Sequence, residues 1–351
     1  TTMPKHLDPA MSYSSDENAI IGPIYVCLTQ YHYLKTPAEL MGYGAEKVPT
    51  PVFYDKEGNV INEKDPANEK IGKVVYEIKI REDMKFQPHP CFAKDSEGKY
   101  LYRELKEKDV SGFEEIGDFK ETGSRGVLAK DYAYQICRFC DPSLEKHCPI
   151  MPLMAANIRG MKDYYKGRKK EYEKMKEGLT EEEVDDLKVD LPLFDGVQVK
   201  DDYTLVITLD QKFPQIVYWM AMNFFAAVPE EAVDFYSQHV LKDVGITLDR
   251  YPVGSGPFMI ETARPTRDIV MVKNPNYFKE LYPDEGDPED EAKGLLKDKG
   301  KPLPLIDKIV NVREKETIPE WHKFRQGYYD FSTISSDMFD QAIQIEGGES
   351  G

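Results

Sequence analysis

Positive charge is in short supply in this chain: 46 Lys and Arg stand against 63 Asp and Glu, for a net charge of -17. A surface this acidic repels a phosphate backbone, which argues against nucleic acid as a partner. Long apolar runs are missing as well. The longest, Ile216 to Val228, falls short of the roughly 18 residues a membrane helix requires and runs straight into acidic residues. The first residues, TTMPKHLDPAMSYSSDENA, carry no signal-peptide pattern. Cysteine is sparse and odd in number: Cys27, Cys91, Cys137, Cys140 and Cys148 cannot all pair in a simple disulfide framework, and they leave the compartment open. The six histidines are scattered, with no His-Glu-x-x-His and no Gly-x-Ser-x-Gly. Paired acids such as Asp201-Asp202 and Asp185-Asp186 fall where turns or charged helix faces are expected. No catalytic constellation emerges, which points away from an enzyme.

What is present is a globular composition. Hydrophobic residues make up 40% and charged residues 31% of 351 residues, enough for two or three domains with real cores. Val74, Tyr76, Ile78 and Ile80 alternate with Val75, Glu77, Lys79 and Arg81, which predicts a strand with one buried face. Residues 196–214 predict a hairpin turning at Asp201-Asp202, with Leu205, Ile207 and Leu209 on one face. A second hairpin is expected from Phe258–Ile260 and Ile269–Val272 around the turn ARPTRD. Ala133, Ile136, Cys137 and Cys140 fall at helical spacing as an apolar stripe. A helix is expected to run from about Ile21, a long one through 153–178, and one from Thr180 with Glu183 at capping-box spacing. A last helix from Thr317 should end at Gly327 and lead into a short strand. Residues 283–304 read as a solvated loop between strands.

Three motifs invite a sharper reading. Gly254-Ser255-Gly256 has the look of a phosphate loop, yet position 259 is Met and Pro257 leads into a strand, so it is a backbone bend instead. Cys137, Cys140, His147 and Cys148 offer four donors suited to tetrahedral zinc. The competing readings are a disulfide to Cys148, core packing, or redox chemistry; a c-type haem is excluded because Asp141 follows Cys140. The aromatic stretch Tyr218 to Pro229 is either core or the wall of a pocket for an organic ligand.

Taken together, several blocks carry a resemblance. YPVGSGPFMI…DIVMVKNPNYF, VVYEIKIREDMKF, LAKDYAYQICRFCDP, GVQVKDDYTLVITL, FPQIVYWMAMNFFAAVPEEAVDFY and LPLIDKIVNVREKETIPEWHKFRQGYYDFSTIS occur in family order. The chain resembles the extracellular solute-binding proteins of ABC importers, family 5, most closely the oligopeptide- and dipeptide-binding type. Departures are visible: Val26 stands where the family pattern carries a Glu, the Trp-x-Asp-Gly turn after Phe86 is replaced, and the clustered cysteines are not part of the pattern.

The resemblance implies a mixed α/β, bilobal periplasmic-binding-protein fold of type II with an extra subdomain in lobe 1. Residues 1–50 and 192–306 would form the lobe 1 core, 51–191 an inserted subdomain, and 307–351 the start of lobe 2, the rest of which would lie beyond this chain. Tyr25, Val26, Cys27, Asn223, Phe224 and Phe225 would line the solute cleft, with Gly254 and Gly256 shaping the crossover. The expected partners are a peptide or similar small solute and the permease subunits of an importer, with no cofactor. The expected location is periplasmic or otherwise extracytoplasmic, with a lipid anchor only through a segment outside this chain. Two alternatives stand beside this: an interaction protein that keeps the fold without transport, and a metal or metallophore binder using Cys137, Cys140, His147 and Cys148.

Overall fold

A capping box sets the first helix. Ser14 Oγ accepts from Glu17 N at 3.2 Å, and Glu17 Oε2 accepts from Ser14 N at 3.0 Å, so α1 spans Ser15–Ile21. The computed structural model describes residues 4–342 other than 146, 181, 182, 185, 265, 315, 335, 337 and 338. The helix expected to begin at Ile21 therefore ends there. Gly22 keeps helical geometry as the C-cap and donates to Asn18 O at 2.8 Å, but Pro23 has no N–H to carry the ladder further. Residues 24–28 then run through the core, and β1 (Thr29–Tyr31) pairs with β2 (Leu40–Gly42).

The second sheet has the order β3-β4-β6-β5, from Pro51–Tyr54, Lys73–Lys79, Thr204–Leu209 and Val197–Asp201. Its alternation is the one the sequence carries. Tyr76 faces Ile207 and Ile78 faces Leu205 across the β4–β6 ladder, all four buried. The hairpin turns one residue later than expected, at Asp202-Tyr203, because Asp201 still pairs with Thr204 and accepts its hydroxyl at 2.7 Å. The sheet draws two strands from 51–191 and two from 192–306, so those stretches share one ladder.

Helix α2 (Ala129–Arg138) buries Ala133, Ile136 and Cys137 as its stripe predicts, with Cys140 buried just beyond its end. The single long helix expected through 153–178 is two: α3 (Met151–Ala155) and α4 (Met161–Met175). Between them Arg159 N donates to Thr208 O at 2.9 Å and Ile158 bridges Leu209, so this stretch adds to the sheet, and Gly160 at φ +72° restarts the helix. Thr180 and Glu183 form the expected capping box, while part of that helix lies outside the described residues.

Three short helices follow: α5 (Ile216–Trp219), α6 (Glu230–Tyr236) and α7 (His239–Asp243). The third sheet is β7 (Phe258–Arg264), β8 (Asp268–Lys273) and β9 (Lys308–Val312), its hairpin strands longer and its turn shorter than expected. Residues 283–304 form a mostly exposed loop between β8 and β9. Helix α8 (Thr317–Arg325) ends before Gly327, which takes φ +79°; residues 331–334 form no strand.

Arg125 ties the starts of α2 and α6. It donates to Asp131 at 2.7 and 2.8 Å and to Glu231 at 2.6 and 2.8 Å. Burial works to raise the Glu231 pKa, but the hydrogen bonds and charge of Arg125 outweigh it and hold that carboxyl down to about 2.

His89 is buried beneath this clamp. Its Nδ1 accepts from Cys91 N at 3.1 Å, so the proton sits on Nε2, which donates to Tyr236 Oη at 2.8 Å; Tyr236 in turn donates to Tyr251 O at 2.7 Å. Burial pushes the His89 pKa down to about 3. Below its usual pKa of about 6.5 the unfolded chain binds a proton that the folded chain refuses, so stability falls as pH drops from there toward about 3. We predict a loss of roughly 1 kcal/mol per pH unit between about pH 6 and 5, above the range where carboxylates titrate. Urea unfolding of the protein and of His89→Gln across this window checks it: the variant should lose that slope, and an unchanged slope would refute the assignment.

Candidate functional site

Two core segments meet at one place on the surface. The extended stretch 25–28 and the turn at Asn223–Phe225 are joined by an antiparallel bridge between Cys27 and Ala226. Cys27 Sγ donates to Asn223 Oδ1 at 3.6 Å, and Asn223 Nδ2 donates to Asn18 Oδ1 at 2.7 Å, which brings α1 into the junction. Of the six residues expected to line a cleft, the structure brings Cys27 and Asn223 into side-chain contact. Asn223 is partly exposed. Tyr25, Val26, Phe224 and Phe225 are buried to 2% exposure or less, with Phe225 packed edge-on against Phe139.

The surface over these walls belongs to Met222, from the aromatic stretch, and to two residues the sequence does not single out, Tyr13 and Asn18. Tyr13 is exposed, its ring 6.2 Å from that of Phe224, and Asn18 and Met222 are exposed beside it. Nothing local distinguishes Asn18 from any polar residue on a short helix; only the fold carries it to Asn223. The exposed groups can exchange hydrogen bonds through two amides and offer an aromatic and a thioether face, a mixture suited to an amphipathic organic solute. Cys27 adds no reactivity, since burial pushes its thiol up to about 12 and keeps it neutral.

Gly254 and Gly256 lie behind this junction. Gly256 N donates to Ile24 O at 2.7 Å and Phe258 N to Pro23 O at 3.0 Å, so the bend runs flush against the chain entering the 25–28 segment. Gln87 clamps Gly254 from the other side, donating from N to Gly254 O at 2.9 Å and accepting from Gly254 N at 3.1 Å.

Cys137, Cys140 and Cys148 are buried free thiols rather than a disulfide. Cys137 Sγ points to Pro192 O and Cys140 Sγ to Met161 O, each at 3.9 Å. Burial raises all three, Cys137 to about 12 and Cys148 to about 11. His147 is exposed, with its ring 5.4 Å from that of His6. Among the described residues no group of three or more His, Cys, Asp or Glu has a geometry for holding a metal ion.

The family described as bacterial extracellular solute-binding proteins, family 5 (middle), matches residues 128–344. A curated relative from Escherichia coli (strain K12), the probable D,D-dipeptide-binding periplasmic protein DdpA, is 33% identical over 104 residues, covering 30% of this chain and 18% of DdpA. Among solved structures, Listeria monocytogenes OppA bound to peptide superposes with a TM-score of 0.57 and 17% identity over 97% of this chain and 46% of its own. Helicobacter pylori DppA in complex with the peptide STSA gives a TM-score of 0.52 and 15% identity over 93% of this chain and 44% of its own. The fold is thus that of the OppA-type periplasmic binding proteins, and the chain spans less than half the length of these neighbours.

Proposed function

The chain belongs to the bacterial extracellular solute-binding proteins of family 5, and from that premise we propose that it serves as the solute-capturing component of an ABC importer, taking up peptides or similar small solutes. The observation that carries this reading is the junction of the 25–28 and 223–226 segments, roofed by Tyr13, Asn18, Met222 and Asn223. An extended peptide offers backbone amides to Asn18 and Asn223 and side chains to the aromatic and thioether surface. Capture needs no chemistry on the solute. It needs a second lobe that contacts the same solute, because a ligand favours closure only by what it gains in the closed state over the open one. Permease subunits that receive the closed form, and a location outside the cytoplasm, belong to the same proposal. So does the division of the chain into a lobe 1 core, a subdomain inserted from about residue 51 and a beginning second lobe; because β5 and β6 complete the sheet of β3 and β4, the strands of 192–209 go with the inserted part and not with the core.

The test is native mass spectrometry and thermal unfolding of the full-length protein with an equimolar pool of dipeptides to pentapeptides. Retained peptide and a stabilisation of about 2.7 kcal/mol at one hundred times Kd are the expected result. Asn223→Leu should weaken retention without changing the fold. A protein that retains no peptide and gains no stability from the pool would overturn the reading.

A further inference from the structure

We infer that Tyr132 and Gln135 of α2 are positioning residues that fix the two walls of the candidate solute face relative to each other. The inference rests on the reading of that face as a binding surface. It begins from a cost: both side chains are polar and at most 1% exposed, and a buried polar group is unfavourable unless it is hydrogen-bonded. Ala129, Ala133 and Ile136 line the apolar face of α2, and Tyr132 packs in the same core while carrying a hydroxyl that needs a partner. Tyr132, Gln135 and Arg138 occupy a second stripe, at intervals of three along the helix.

Each member of that stripe has a defined task. Tyr132 Oη donates to Val26 O at 3.1 Å. The hydroxyl sits in a slot that only glycine leaves open, since a Cβ at Gly44 would lie 2.1 Å from Tyr132 Oη. Gly44 N itself donates to Cys27 O at 2.8 Å, so two successive carbonyls of the first wall are pinned, one by the helix and one by Gly44. Gln135 Nε2 donates to Phe224 O at 3.2 Å, which pins the second wall. Arg138 Nη1 donates to Gln135 Oε1 at 2.9 Å and so fixes which end of the amide faces Phe224. Arg138 is held in turn by Asp8.

Val26 O and Phe224 O are therefore anchored to one rigid helix three residues apart, a rise of about 4.5 Å. The two walls cannot slide past each other while both anchors hold. The contacts from Cys27 to Asn223 and from Asn223 to Asn18 depend on that register, and through them so does the placement of the exposed amides.

Tyr132→Phe and Gln135→Met each remove one anchor while keeping size; Ala133→Gly, on the apolar stripe, serves as a destabilised control. Hydrogen exchange at 25–28 and 223–226 is read without ligand, and affinity is read with the dipeptide-to-pentapeptide pool. Faster exchange confined to those segments, with affinity three- to tenfold weaker or the order of preferred peptides changed, is the expected result for loss of one hydrogen bond, roughly. Should the unaltered protein bind no peptide, the solute reading fails, and exchange alone decides the positioning. Binding that persists in both variants with unaltered affinity, order and exchange overturns the inference. Binding lost only in step with stability, as in Ala133→Gly, overturns it equally, because the role is then structural.

Discussion

Gly254→Ala is expected to destabilise the protein by about 3–5 kcal/mol, from overpacking together with lost buried hydrogen bonds. A Cβ at this position would lie 2.0 Å from Ile24 O and 2.7 Å from Ile24 C. The obstacle is backbone, so no rotamer change relieves it. Ile24 O already accepts from Gly256 N, and Gly254 is gripped through both its N–H and its C=O by Gln87. A shift large enough to admit the methyl group must therefore break hydrogen bonds on one side or the other and leave buried groups unsatisfied. Gly256→Ala should act in the same direction, since its Cβ would meet Pro23 O and Ile24 C at 2.6 Å. Gly167 in α4 supplies the contrast: nothing lies within 4 Å of a Cβ there, so Gly167→Ala should stabilise by about 0.5–1 kcal/mol through helix propensity. Urea unfolding of the three variants reads both signs, and a neutral Gly254→Ala would refute the close-approach argument.

Asp8→Ala carries the other large effect. Asp8 accepts from Arg138 at 2.5 and 2.9 Å, and both side chains are 4% exposed. Asp8 also caps Ala10 N at 2.9 Å. Removing the carboxylate strands a buried guanidinium, an effect of about 3–5 kcal/mol. The pair itself is worth far less than its breakage suggests, because both charges had to leave water. The double variant Asp8→Leu, Arg138→Met should therefore recover much of the loss. Unfolding free energies of Asp8→Leu, of Arg138→Met and of the double variant form the cycle that measures this. Equal loss in the single and double variants would show that the pair contributes in itself.

The strands were legible because the two-residue period of a half-buried sheet is written directly in β4 and β6. The stripe of α2 was legible for the same reason at helical spacing. The break at 156–160 was not. Asn157 and Gly160 are weak helix formers, but that does not say where the chain goes instead; only the open edge next to Thr208 and Leu209 makes pairing with the sheet the better option. The aromatic segment near Phe224 was readable as apolar, but not as a wall whose rings turn inward and whose turn carries Asn223 to the surface.

The sequence by itself determined the elements whose hydrophobic period repeats, the acidic surface, and the family blocks in their order. Those properties are local or additive, and each survives being read one segment at a time. Tertiary structure alone decided that Asn18, Cys27 and Asn223 would touch, that Tyr132 and Gln135 would reach carbonyls on two distant segments, and that Gly254 would lie against Ile24. A hydrogen bond between residues two hundred positions apart leaves no period in the sequence, because each partner is an ordinary polar residue until the packing of everything between them brings the two within 3 Å.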